Sequence, residues 1–159
     1  MTQPGDIEVV YPPGAVTLKG RWNIKVYSGD VLKQEVEGDN VVCTNGKEFL
    51  ASFLGSAAAA AATFTCRYVA IGTDATGEAA ANTALGAETA RASGIVSYVS
   101  GAIYQVTATF PSGTGTGAIV EYGLLSSSAA GTLLSRDTEA AVNKGANDIL
   151  IATVQITVS

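Results

Sequence analysis

Ala102-Ile-Tyr-Gln-Val-Thr-Ala-Thr-Phe110 and Leu150-Ile-Ala-Thr-Val-Gln-Ile-Thr-Val158 are the two stretches that decide the fold. In the first, Ala102, Tyr104, Val106, Ala108 and Phe110 fall on one side of an extended backbone, with Gln105, Thr107 and Thr109 on the other. In the second, Ala152, Val154, Ile156 and Val158 oppose Thr153, Gln155 and Thr157. A period of two marks a strand with one dry and one wet face. The dry faces need a core to cover, which predicts antiparallel sheet.

Working outward, further strands are predicted over 90–99, 118–125 and 132–138. They are punctuated by Ser100-Gly101, Pro111-Ser-Gly113, Ser127 to Gly131 and Asn143 to Asn147. Trp22 to Tyr27 and Val31 to Val36 flank Ser28-Gly29-Asp30 and read as a hairpin. Thr65 to Ile71 reads as a buried strand and Gly72 to Gly77 as a loop. One short helix is predicted. Asn45 is placed as its N-cap with Glu48 three residues on, Phe49, Leu50, Phe53 and Leu54 form its apolar face, and Gly55 stops it. The alanine run Ala57 to Ala62 reads as a loop or frayed turn. The fold class is therefore all-β with one short helix: a single antiparallel β-sandwich, jelly-roll-like, over residues 20–159.

Residues 1–19 form an extended amino-terminal arm in this reading. Pro12-Pro13 fixes the backbone in extended geometry, and Ile7, Val9, Val10 and Tyr11 supply apolar anchors. The arm is expected to dock on a neighbouring subunit; the competing reading folds it back over its own sheet edge.

Charge bounds the partners. Nine basic and fourteen acidic residues give a net charge of −5 with no basic cluster, so nucleic acid is not expected as a partner. The longest all-apolar run, Ala57 to Ala62, is far short of the ~20 residues of a membrane helix, so no membrane partner is expected. The amino terminus has no basic region preceding an apolar one, so it does not read as a secretory signal. Charged residues make up 14% of the chain, against about 25% in an ordinary soluble domain. Two readings fit: a surface partly buried in an assembly, or a free β domain with a neutral polar surface. Cys43 and Cys66 are too few for a disulfide scaffold and read as buried thiols, with a single pairing as the alternative.

The same inventory argues against catalysis. Without histidine, neither a Ser-His-Asp nor a Cys-His centre can be built, nor a histidine-containing metal site. No catalytic residue, metal ligand or cofactor is assigned. Glu35, Glu37 and Asp39 share one strand face and read as a solvated edge. Asp74 to Glu78 lacks the ligand spacing of a calcium loop. Gly113-Thr-Gly115-Thr-Gly117-Ala118 matches a dinucleotide fingerprint by letter, but strand-like residues follow it where a helix is required, so it reads as a hairpin turn.

The order of segments carries a resemblance. Asn40-Val-Val-Cys-Thr-Asn-Gly-Lys-Glu-Phe-Leu-Ala-Ser-Phe-Leu54 comes first, then Tyr68-Val-Ala-Ile-Gly-Thr73 and Thr83-Ala-Leu-Gly-Ala-Glu-Thr-Ala-Arg91. Glu121-Tyr-Gly-Leu-Leu125 and Asn143-Lys144 follow. Together, over roughly 40–158, they resemble a family of bacteriophage virion proteins labelled tail-fibre-like or decoration proteins. The alanine run and Asp74, where that family tends to have glycine, depart from it. The resemblance implies a non-enzymatic virion protein made in the bacterial cytoplasm. Its role would be a capsid decoration or cement subunit bound to the major capsid protein, or alternatively a tail or fibre component. A homo-oligomer, specifically a trimer, is expected. Structural roles fall to Leu85, plugging the core from a loop, and to Glu88 and Arg91, which can pair locally; Arg91 with Glu121 is the other option.

Overall fold

The computed structural model describes residues 15–55 and 66–159. Its elements are β1 (Leu18–Ser28), β2 (Val31–Val42), α1 (Thr44–Gly55), β3 (Tyr68–Gly72), β4 (Glu88–Ser93), β5 (Ile95–Ser100), β6 (Ile103–Phe110), β7 (Gly117–Leu125), β8 (Leu133–Lys144) and β9 (Asp148–Val158). All pairings are antiparallel, and the strands form one nine-stranded sheet in the order β4-β3-β7-β8-β2-β1-β9-β6-β5.

The two deciding segments lie side by side as β6 and β9. Val106 sits opposite Val154 and Ala108 opposite Ala152. On its other edge β9 sets Val154 against Trp22 and Ala152 against Ile24 of β1. Paired residues project to the same face. Three alternating strands thus merge their apolar sides into one buried surface. From the far end of the sheet, Val69, Ile71, Tyr122, Leu124 and Val142 enter the same core. Trp22 of β1 meets Tyr122 of β7 with ring centroids 5.9 Å apart. The sheet therefore curls until its halves face each other. The strands stay continuous through the curl, because the last residues of β2, Val41 and Val42, leave β1 behind and pair with Arg136 and Ser135 of β8.

The run predicted as one strand over 90–99 is a strand with a corner in it. β4 pairs with β3 and β5 with β6, so the chain passes from one end of the sheet order to the other through Gly94. Strands that switch layers do so at bends. At this bend the Gly94 amide donates to the Arg67 carbonyl at 2.7 Å, and a Cβ would collide with the Val106 side chain. β8 also runs past the predicted end at residue 138 as far as Lys144. Its far end pairs with Ile119 and Gly117 beyond a bulge in β8 between Thr138 and Val142, which breaks the alternation that would have revealed it.

The helix starts one residue before the predicted N-cap. Asn45 lies in the first turn, and the Cys43 carbonyl accepts the Lys47 amide. Tertiary bonds set this start: the Cys43 amide donates to Leu134 and the Thr44 amide to Ala80. Gly46 faces Leu134 so closely that a side chain there would overlap the β8 backbone, which lets α1 sit directly on that strand. Phe49 and Leu50 pack against the core, whereas Leu54 of the same predicted face is exposed. Leu18 and Lys19, assigned to the arm, belong to β1, and Thr17 exchanges backbone hydrogen bonds with Ser159. Ile7, Val9, Val10, Tyr11, Pro12, Pro13 and the alanine run lie outside the described residues. Cys43 and Cys66 are separate buried free thiols, and burial pushes the Cys66 thiol up to about 12.

Candidate assembly surface

From Ala92 to Val120, and again from Ile149 to Ser159, the sequence holds no charged residue. The curl places these stretches next to one another as β5, β6 and β9. Their outer face is a neutral ladder. Gln155 Nε2 donates to Gln105 Oε1 at 2.8 Å, Gln105 Nε2 donates to Ser97 Oγ at 3.3 Å, and the Thr107 and Thr153 hydroxyls lie 3.1 Å apart. At the rim, β5 exposes Ile95 (78%), Tyr98 (77%) and Val99 (54%). Among the described residues β5 pairs only with β6, which leaves its other edge without a strand partner among them.

A second apolar surface lies where α1 meets the ends of β1 and β9. It is a groove of about 600 Å³ whose lining includes Val16, Leu18, Leu50, Leu54 and Val158.

The outer face of β1 and β2 is built differently. Arg21 Nη2 lies 2.5 Å from Glu37 and Lys25 Nζ 3.4 Å from Glu35, and Asn23 donates to both glutamates at 2.7 and 2.6 Å. The hydrogen bond from Arg21 holds the Glu37 carboxyl below its usual range. Glu35, Glu37 and Asp39 share a strand face opposite Lys25, Asn23 and Arg21 of β1, on the part of β2 that precedes its pairing with β8 at Val41 and Val42.

Charge is buried at one place. Glu121 of β7 and Arg136 of β8 are 0% and 2% exposed and meet at 2.9 Å. Glu121 also accepts the backbone amides of Gly86 (2.8 Å) and Ala87 (2.6 Å), while Arg136 Nη1 donates to the Thr76 carbonyl at 2.9 Å. Arg136 Nη2 lies 3.4 Å from Asp74, whose carboxyl is held below its usual range mainly by the Thr76 amide and hydroxyl. The pair therefore clasps the β3–β4 loop onto the sheet. This explains Asp74, which stabilises its own turn and faces the guanidinium.

Leu85, on the same loop, is buried with Leu125 and Leu133, as expected for a core plug. Arg91 pairs with Glu88 through two bonds, at 2.9 and 2.7 Å, and donates to the Ser127 and Ala130 carbonyls; Glu121 takes Arg136 instead. The sequence reading missed Arg136. Its signal was a charge two residues after the apolar Leu133-Leu134 on a strand predicted to be half buried.

Asp137, next on β8, faces the other way. It sits opposite Tyr122, is 1% exposed, and neither carboxylate oxygen has a hydrogen-bond partner among the described residues. Burial first, then the charges of Glu139, Glu78 and Asp39, push its carboxyl up to about 7. Trp22 Nε1, the Asn40 side-chain amide and Ser135 Oγ are likewise buried and unpartnered.

No group of three or more His, Cys, Asp or Glu residues suited to a metal ion occurs among the described residues. No described helix is long and apolar enough to cross a membrane. Compared with known protein families, curated proteins and solved structures, the chain matches none of them.

Proposed function

We propose that this chain is a structural subunit of a bacteriophage particle that acts by assembly, as a capsid decoration or cement protein on the shell formed by the major capsid protein. The observation that carries the assembly part is the neutral β5-β6-β9 half with Ile95, Tyr98 and Val99 exposed at its rim. An uncharged surface with apolar residues at an unpaired strand edge is what a free monomer normally avoids and an interface uses. The virion part rests on the ordered motifs between residues 40 and 158.

Catalysis is left out of the proposal on physical grounds. A carboxyl raised to about 7 is what an acid catalyst needs, and Asp137 has one. Asp137 is enclosed in the core, though, and a polymer substrate does not reach it.

Quantitative mass spectrometry of purified particles from a phage that encodes the chain tests the proposal. A copy number comparable to that of the major capsid protein supports a decoration role. A handful of copies per particle overturns it in favour of the tail, and absence from the particle overturns the virion reading altogether.

A further inference from the structure

The assembly reading leaves the occupant of the β5 edge unnamed, and the strand itself supplies one. We infer that β5 pairs with β5 of a second copy, antiparallel, about a two-fold axis at Ser97. The inference rests on reading the neutral half as an interface.

Three observations converge on it. Among the described residues no strand covers this edge, and a strand is the ligand that satisfies it, because only an extended backbone matches the spacing of its donors and acceptors. The segment Ile95-Val-Ser-Tyr98 carries no charge, no proline, no inward lysine and no bulge, the devices that keep edges apart; the register shifts only beyond Tyr98. In a chain of net charge −5, this half is also where two copies approach with the least repulsion, since the nearest acidic pairs of β2 lie on the other side of β1.

Register follows from geometry. Residues opposite one another in an antiparallel pair share a face, so a self-pairing strand can match only positions of equal parity. Centred on Ser97, this sets Val96 opposite the second copy's Tyr98, and the regular register ends at the bulge that follows Tyr98. Val96 packs against the core and Tyr98 stacks beside Tyr104 at 6.1 Å, so the face they share is already ordered. An aromatic residue opposite a β-branched one is among the favourable cross-strand pairs. The isologous contact closes at two copies, which separates it from a three-fold arrangement requiring two different surfaces.

Cross-linking tests this directly in the full-length chain. In Ser97→Cys the two thiols meet at the axis, with Cα atoms about 4.5–5.5 Å apart, within disulfide reach. Native Cys43 and Cys66 are buried and do not compete. Ser112→Cys, on the exposed β6–β7 turn, is the control. The expected result is a covalent dimer forming roughly ten-fold or more faster for Ser97→Cys than for the control. Light scattering of the wild-type chain should give twice 16.1 kDa, and Ile95→Lys should give the single mass at an unchanged melting temperature.

A wild-type monomer with equal cross-linking rates overturns the pairing, and so does a trimer. If the pairing fails while the chain is abundant in particles, the assembly reading survives and its contact lies elsewhere. A dimer absent from particles overturns the virion reading and keeps the pairing.

Discussion

The β7–β8 side and the β5–β6 side of this sheet treat polarity in opposite ways. On the first, charge is taken into the interior and tied down: Glu121 and Arg136 are almost fully buried, and every bond they make points at the molecule itself. On the second the strands themselves carry no charged residue, the polar side chains satisfy one another along the strands, and the apolar residues are outermost. The difference separates two jobs. On the proposed assembly reading, the β7–β8 side holds the subunit together and the β5–β6 side holds subunits to each other. Substitutions on the first should alter stability without altering association, and substitutions on the second should do the reverse.

The largest effect is expected at the clasp. Arg136→Met leaves the Glu121 side chain enclosed with only backbone donors, and removing one partner of a buried pair costs about 3–5 kcal/mol. Denaturant unfolding should show a loss of that order, accompanied by faster proteolysis within 73–87, the loop the pair retains. A loss below about 1 kcal/mol would mean that the loop is held by Leu85 and its neighbours instead. Gly94→Val comes next. Its side chain has to displace Val106 at the corner, and overpacking of this kind costs roughly 1–3 kcal/mol. Because the corner feeds directly into β5, this variant is the one expected to weaken both stability and pairing.

Asp137 gives a pH dependence whose sign can be worked out. Its folded-state value of about 7 lies above the ordinary 3.8, so the folded protein holds this proton more tightly than the unfolded chain does. The resulting stability is fully present below about pH 4 and is lost as pH rises through 7. Between pH 5 and 8 the loss is on the order of 2 kcal/mol. Asp74, Asp148 and Glu37, all held low, act in the opposite sense, and their contribution fades only under more acidic conditions. Melting curves should therefore fall from pH 5 to 8 in the wild type and stay flatter in Asp137→Asn. Parallel curves for the two proteins would contradict this account of the core. The smallest effect is expected at Arg21→Ala on the outer face of β1. Its ion pair with Glu37 is about half exposed, and such pairs contribute little to stability and are screened further by salt, so denaturant midpoints with and without Arg21 should nearly coincide.

The strands were legible where one face is dry and the other wet. Val106 to Phe110 and Leu150 to Ile156 alternate without a break and lie where the period places them. Legibility failed where a residue's position is set by something remote in sequence. The helix starts at Thr44 because Leu134 and Ala80 bind the residues around its first turn, and local capping chemistry at Asn45 carries no trace of that. The clasp joins Glu121 to loop amides 34 and 35 residues away, so no spacing rule brings them together. The curl depends on β2 exchanging one partner for another near Val41, an event that leaves the alternation of β2 unchanged. The assembly surface lay between these cases. The absence of charge from Ala92 to Val120 is plain in the sequence, but only the fold shows that it coincides with an open edge.

The central claim is that the neutral half is an interface, and solution mass across a concentration series tests it most directly. The account predicts a wild-type chain at twice 16.1 kDa that Ile95→Lys reduces to the single mass, while Arg136→Met, at temperatures where it remains folded, stays paired. A wild-type chain that remains at the single mass at the highest concentration, indistinguishable from Ile95→Lys, would contradict it.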